Sequence, residues 1–475
     1  MERVAIIDLG SNSARAMLME VHGCEHYKLI DELQEPVRIS ENMGKERMIK
    51  PQAINRAVQS LKAFKKFCKV NDVSKIFAVA TAAVRNAKNK FHVLNILKEE
   101  TGITLRVLSG EEEAYYEYLG VVNSMTLQDS LIVDIGGGST EIILCKNRKM
   151  MRCISLPIGA VNITEEFLST DAIPEENIEA LNEYLKSLYS EIKWLEKVKN
   201  DNLSIIGVGG TMRNLARIDR SMVQYSFTNI LRNYEVRGEN IKPIYKKLYT
   251  TSLDDRKYIN GISKNRVDII VGGVAIASSL VEFVKSPKIR ISGYGLREGV
   301  FYEYLFKNKS KSVVDDVIEH SVRNFMSIYN IRKKYVEQVS QLSLFIYEQL
   351  RKYYGYGEWE RKLLYIASLL YDIGTAVCYY DYPKHTMYIL LNARLNGLTH
   401  REQILIALIT ACHKKTSIKS IIKQYSDVLL PEDEVLVRRL GEMLRMGEKI
   451  NRGSAGTISG VVEIIRKKDL KFKSV

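Results

Sequence analysis

The sequence predicts two similar α/β lobes facing each other across a cleft, followed by a mainly helical domain. Three observations carry that reading. A strand that ends in Asp-x-Gly and turns into a second strand occurs twice, at residues 4–15 and 131–141. Strands and helices alternate through about residue 305, and beyond a lysine- and serine-rich run at 306–312 the pattern becomes helical.

The clearer turn is LIVDIGGGSTE, residues 131–141. An apolar run ends in Asp134, turns through Gly136, Gly137 and Gly138, and resumes at Ser139, Thr140 and Glu141. Adjacent glycines let several backbone N–H groups converge on one anion, because no Cβ intervenes. Asp134 and Glu141 bracket the turn, where carboxylates can hold a divalent cation against bound phosphate. An isolated copy would also suit a glycine-rich hairpin with solvated acids. The N-terminal VAIIDLGSNSAR repeats the order, with Asp8 matching Asp134, Gly10 matching Gly136 and Ser13 matching Ser139. A duplicated turn implies two half-molecules, each contributing a phosphate loop.

Taken in order, strands are expected at 15–21 and 27–33, a helix over Pro51–Val70, and a strand at 75–81 that leads into TAAVRNAKN. Arg85 and Asn89 follow that strand end, where open α/β sheets place ligand contacts, although a solvated helix start reads the same way. A helix at 91–101 and a strand at 105–108 precede SGEEEAYYEYLGV. Ser109 suits an N-cap, and Glu111, Glu112 and Glu113 suit the positive end of the helix dipole. Beside a cleft, any one of the three could take a proton from an attacking water. Further on, a strand at 151–156 and a turn and helix at 158–167 lead to one long amphipathic helix at 175–198. Residues 204–210 and then TMRNLARI read as strand, Gly-Gly and helix, with Gly209, Gly210 and Thr211 another candidate anion or nucleotide contact at a helix start. IIVGGVAIASSLVEF is expected to repeat a glycine pair before a helix, and a strand at 289–292 leads through GYGLREG into one more.

Length and composition bound the possibilities. With 475 residues, 46% hydrophobic and 27% charged, the chain can bury large cores without metals or disulfides. Six scattered cysteines form no CxxC pair, which fits a reducing cytoplasm, and neither a secretory leader nor a membrane span is expected. A formal charge of +14 implies a polyanionic substrate. No nucleic-acid signature accompanies it, and neither nucleic acid nor membrane is expected as a partner.

The ordered strings IDLGSNSAR, TAAVRNAKN, SGEEEA, DIGGGSTEI, LPIGAV, VGGT and SGYGLREG closely resemble the exopolyphosphatase and guanosine pentaphosphate phosphatase family over residues 4–303. The resemblance implies two ribonuclease H-like lobes of the actin, Hsp70 and sugar-kinase kind, at 1–119 and 120–305. It also implies removal of a terminal phosphate by water, with Mg²⁺ as the usual cofactor and Mn²⁺ as a substitute. Carried over by position, the general base is Glu113. Phosphate contacts fall on Ser11, Asn12, Ser13, Arg15, Arg85, Gly136, Gly137, Gly138, Ser139, Thr140, Gly209, Gly210 and Thr211. Metal ligands fall on Asp8, Asp134 and Glu141.

Residues 313–475 resemble the helical domain of longer family members, related to metal-dependent HD phosphohydrolases. Helices are expected at 314–329, 334–353, 361–370, 385–391, 402–412 and 434–449, with a terminal hairpin at 457–475. The metal motif is worn: Tyr371 precedes Asp372 where a His-Asp pair is needed, His385 and His413 survive, and Gly447 and Glu448 replace the distal Ala-Asp. No second catalytic metal is expected here. The lysine-rich helices and tail offer a path for a long polyanion, and the same region is the expected surface for a homodimer. The leading expectation is an exopolyphosphatase acting on inorganic polyphosphate. Hydrolysis of guanosine pentaphosphate to the tetraphosphate is the alternative with the same chemistry. A silent nucleotide- or polyphosphate-binding regulator is the alternative of another class.

Overall fold

The computed structural model describes residues 1–475 except 24, 45, 169–172, 415–417, 454–460, 467, 468 and 475, and only the backbone of 453, 461–466 and 469–474. The chain forms two compact units, Met1–Gln224 with Leu231–Asp315, and Tyr225–Ile230 with Asp316–Val475.

The first unit is built on two sheets with one plan. Strands β1 (Glu2–Leu9), β2 (Ala14–His22), β3 (His26–Glu35), β4 (Lys75–Ala80) and β5 (Arg106–Val107) lie in the order β3-β2-β1-β4-β5. The β1–β2–β3 meander is antiparallel, and β4 and β5 run parallel to β1. The second sheet repeats the plan with β6 (Ser130–Ile135), β7 (Thr140–Lys146), β8 (Lys149–Leu156), β9 (Ser204–Val208) and β11 (Lys288–Ile291), and adds β10 (Glu235–Arg237) at the edge. Every central strand is almost wholly buried, as apolar runs covered on both faces require. Two sheets of one plan are the pair of similar halves expected from the duplicated turn, and they fit the ribonuclease H-like lobes that the resemblance implies.

A core of Val4, Ile6, Ile132, Ile143, Ile206 and Val300 draws residues from both sheets. Two helices pass through it, Gly110–Val122 and Leu296–Leu305. They approach so closely that a Cβ on Gly299 would stand 1.8 Å from the Tyr116 carbonyl oxygen. Glycine at that crossing is a packing requirement.

Two expectations need correction. The segment expected as one helix over 175–198 breaks into Glu175–Ser190 and Lys193–Val198. Gly272 and Gly273 sit inside the helix Ile270–Val284 rather than before it, because a Cβ at either would reach within 2.6 Å of a Thr164 or Thr211 side-chain atom.

The second unit is helical: Val317–Ile328, Lys333–Tyr354, Glu358–Leu370, Tyr382–Asn392, His400–Cys412, Lys419–Gln424 and Asp433–Gly453 surround an apolar core. Asp316 caps the first by accepting from the Ile318 and Glu319 N–H groups, and Thr399 and Glu402 form a capping box on the fifth. Strands β12 (Val461–Arg466) and β13 (Asp469–Ser474) pair as an antiparallel hairpin. Residues 457–460, 467, 468 and 475 of the expected hairpin lie outside the described residues. Among the described residues no helix is long and apolar enough to cross a membrane.

Candidate active site

The two Asp-turns have the same backbone. In each, the first glycine N–H donates to the carbonyl of the serine three residues on: Gly10 to Ser13 at 3.2 Å and Gly136 to Ser139 at 2.9 Å. The loops touch, since a Cβ on Gly137 would stand 3.0 Å from the Ser11 Cβ. The strand register sets opposite partners across each hairpin, Asp8 against Arg15 and Asp134 against Glu141. One loop thus carries a cation where the other carries an acid.

Of the three glutamates that begin the helix Gly110–Val122, the fold separates the roles. Glu111 is exposed. Glu112 completes a capping box, accepting from the Ser109 N–H at 2.8 Å while its own N–H donates to Ser109 Oγ at 3.1 Å, and it also pairs with Arg106. Glu113 turns inward and is 7% exposed. Arg85 Nη1 donates to Glu113 Oε2 at 2.7 Å and to the Leu108 carbonyl at 3.0 Å. Arg85, read from sequence as a phosphate contact, is therefore first an orienting partner of the candidate base. Burial lifts the Glu113 carboxyl to about 7, with Arg85 opposing and Asp8 and Asp134 reinforcing the rise.

Glu117, one turn further along the helix, is the residue that the sequence reading missed. Its carboxyl joins those of Glu113 and Glu141, one oxygen from each lying within 4.8 Å of the others. Among the described residues this is the one group of three such ligands that converges. Burial, then the neighbouring carboxylates, holds both Glu117 and Glu141 well above the usual carboxylate range. Glu117 donates a hydrogen bond to Asp134, and Ser155 Oγ donates to Glu141 Oε1 at 2.7 Å. Asp8 is lifted to about 6, burial first, against the pull of Arg297 and Arg15.

Four arginines act on these acids as well. Arg15, Arg213 and Arg266 all act on Asp134, and burial lowers each of them to about 10. Arg297, which pairs with Glu32 at 3.0 Å, acts on Asp8 and Arg15. Four guanidiniums act on two carboxylates, and guanidinium is the donor type that suits a multiply charged anion. Arg213, Arg266 and Arg297 were given no site role in the sequence reading, although Arg213 lies in the TMRNLARI that follows the glycine pair, Arg266 just before IIVGGVAIASSLVEF, and Arg297 is the arginine of SGYGLREG.

Some expected contacts are already engaged. Thr140 Oγ1 donates to the Ile158 carbonyl at 2.7 Å and Thr211 Oγ1 to the Ile135 carbonyl at 3.2 Å, so both hydroxyls brace the loops. Gly209 has φ +82°, and a Cβ there would fall 2.0 Å from Asp134 Oδ1. Ser11, Asn12 and Ser13 are buried at the first turn, where the Ser11 and Asn12 carbonyls accept from the Ser40 and Arg38 N–H groups.

In the helical unit, Tyr371, Asp372, Tyr382, His413 and Glu448 lie together. His385 is half-buried on the neighbouring helix, and Gly447 lets the last helix close on Ser343. Glu448 is bound by Lys414 and Arg452, each at 2.7 Å.

Comparison with known proteins agrees with this geometry. Residues 19–308 match the description of the Ppx/GppA phosphatase family, and residues 317–472 match Ppx/GppA phosphatase, domain III. A relative from Pseudoalteromonas translucida (strain TAC 125), named guanosine-5'-triphosphate,3'-diphosphate pyrophosphatase, is 27% identical over 93% of this chain and 86% of its own. The crystal structure of the Aquifex aeolicus family member is 30% identical, with a TM-score of 0.55, covering 65% of this chain and 99% of that one. An exopolyphosphatase structure from Cytophaga hutchinsonii ATCC 33406, 24% identical with a TM-score of 0.60 over 66% of this chain and 100% of that one, shares the fold. Two lobes of one plan, a buried glutamate beside facing Asp-turns, a helical unit and family matches to both parts make this chain a member of the Ppx/GppA phosphatase family.

Proposed function

We propose that this chain hydrolyses the terminal phosphoanhydride of a linear phosphate chain by direct attack of water. The observation that carries the reading is Glu113, a buried carboxyl lifted to about 7 and oriented by Arg85 beside two touching phosphate loops. A base poised near the working pH is half ionised there and takes a proton efficiently. The Gly10–Ser13 and Gly136–Ser139 turns aim N–H groups at the anion, while Arg15, Arg213, Arg266 and Arg297 supply positive charge where the transition state spreads negative charge over its oxygens. Glu113 acts on water rather than on the phosphate, so no covalent phosphoenzyme is needed.

The donor set fits a hard divalent cation. Every converging ligand is a carboxylate oxygen, and Asp8 Oδ1 and Glu117 Oε2 are buried without a hydrogen-bond partner. Asp8, Asp134 and Glu141 are the proposed holders of Mg²⁺ or Mn²⁺. When bound, the cation supplies charge neutralisation to the phosphate oxygens.

Two substrates share this chemistry. The net charge of +14 favours inorganic polyphosphate. The helical domain does not decide between them, since the relatives named for the guanosine nucleotide match along most of this chain, helical part included. Their names favour the guanosine pentaphosphate reading at least equally. Both are cytoplasmic polyanions, and a cytoplasmic location belongs to the same proposal. Orthophosphate release from equal end-concentrations of long-chain polyphosphate and guanosine pentaphosphate, with Mg²⁺ and with Glu113→Gln as blank, separates them. Release from neither substrate by the wild-type chain overturns the proposal.

A further inference from the structure

Glu117 and Glu113 are four residues apart on one helix, so their carboxyls leave the same face. Like charges at that spacing repel, and here both are buried, Glu117 at 1% exposure. The counter-charges are unevenly shared. Arg85 pairs with Glu113, and Arg213, Arg15 and Arg266 act on Asp134. The strongest electrostatic influences on Glu117 are instead the carboxylates of Asp134, Glu141 and Glu113. For Glu141 they are Glu113 and Asp134, relieved by the hydroxyls of Ser155 and Ser139. Glu117 Oε2 is orphaned within this cluster.

Ligand oxygens within 4.8 Å of one another suit one cation, because metal–oxygen distances of about 2.1 Å in an octahedral shell separate neighbouring and opposite oxygens by roughly 3 to 4 Å. We propose that Glu117 is a cation ligand, a third buried carboxylate beside Glu141 and Asp134 that lets the site take a hard divalent cation before any phosphate arrives, with Glu113 left at its edge as the base. Mg²⁺ held by one or two carboxylates normally relies on substrate phosphates for its remaining ligands. A third buried carboxylate removes that dependence and makes the metal the first ligand to bind. The inference rests on the phosphatase reading for the purpose of the cation and on geometry alone for its place.

The test is Mn²⁺ titration of the full chain, stripped with chelator and free of phosphate, followed by the paramagnetic signal of free Mn²⁺ and by thermal melting. The wild type binds one Mn²⁺ per chain and melts higher with it. Glu117→Gln weakens binding at least tenfold and shrinks the melting shift in proportion, while its chelated form melts no lower than the wild type. Should that variant fail to fold, Glu117→Asp, which withdraws the carboxyl by one methylene, is read the same way. Equal Mn²⁺ affinity in wild type and variant, or no binding without phosphate, overturns the proposal. Tight Glu117-dependent binding in a chain that releases phosphate from neither substrate upholds the cation site and overturns the phosphatase reading instead.

Discussion

Two buried acidic clusters, one in each unit, differ in how their charge is met. In the phosphatase unit, Glu117 and Glu141 face other carboxylates, and Glu117 Oε2 and Asp8 Oδ1 have no partner. In the helical unit, Glu448 is fully buried but held by Lys414 and Arg452, each at 2.7 Å. His413 Nδ1 meets the Thr410 carbonyl, its Nε2 meets Tyr382 Oη at 3.1 Å, and burial pulls the imidazole down to about 4, so it is neutral at pH 7. Asp372, one oxygen of which lacks a partner, leans on Arg332 at 3.5 Å. The difference separates buried carboxyls that face one another from a buried carboxylate that two cationic side chains hold. Tyr371 stacks edge-on against His413 in the same cluster.

The comparison breaks most sharply at Glu113. Glu113→Gln is expected to fold and to bind phosphate chains but to lose about two to four orders of magnitude in turnover, the usual worth of a general base; orthophosphate release checks it. Arg213→Gln removes one charged donor, and the Michaelis constant should rise roughly 10- to 100-fold, as expected for hydrogen bonds to charged groups. On the helical side, Glu448→Gln should cost about 1 to 3 kcal/mol, read from the urea midpoint, because the buried acceptor shared by Tyr382, Lys414 and Arg452 loses its charge. Phosphate release per folded molecule should not change.

pH separates Glu113 from His413 by sign. The Glu113 carboxyl is raised above its ordinary value of 4.5 to about 7, so the folded protein binds that proton more tightly and chelated protein loses stability as pH rises from 4.5 through 7. His413 is lowered from 6.5 to about 4, so its contribution is lost as pH falls from 6.5 through 4. Chelated protein should therefore melt highest at mildly acidic pH. Added Mg²⁺ should flatten the alkaline side alone, and the acid limb of kcat/KM, near 7, should move to lower pH as Mg²⁺ rises. A limb that ignores Mg²⁺ would separate the base from the cation.

Much of this was readable before the fold was known. The Asp-turns announce themselves because a phosphate loop needs its glycines and acids consecutively, and Ser109 announces the helix whose third glutamate points inward. Glu117 is harder to read, since a glutamate four residues after another on a helix usually marks a solvated face; only packing between β7, β8 and the helix Leu296–Leu305 shows that this face is buried. The i, i+4 pairing of Glu113 and Glu117 was the available signal. Arg213, Arg266 and Arg297 come from three separate segments, and no local pattern states that they meet. The bracing role of the Thr140 and Thr211 hydroxyls was likewise not legible, because a hydroxyl in such a motif can serve either the loop or a ligand.

Six residues, Tyr225–Ile230, leave the phosphatase unit and belong to the helical one. Phe227 is fully buried there, edge-on to His400 at 4.9 Å and to Tyr425 at 5.5 Å. Asp315 is therefore a poor place to cut. A fragment beginning at Asp316 would carry a hole the size of a phenyl ring, worth about 3 to 5 kcal/mol on the scale of Phe-to-Ala substitutions. A fragment ending at Asp315 would leave that ring in water as a sticky tab. Truncation that ignores the excursion should yield two aggregating halves, whereas replacing 225–230 with a short polar loop is the way to obtain the phosphatase unit by itself.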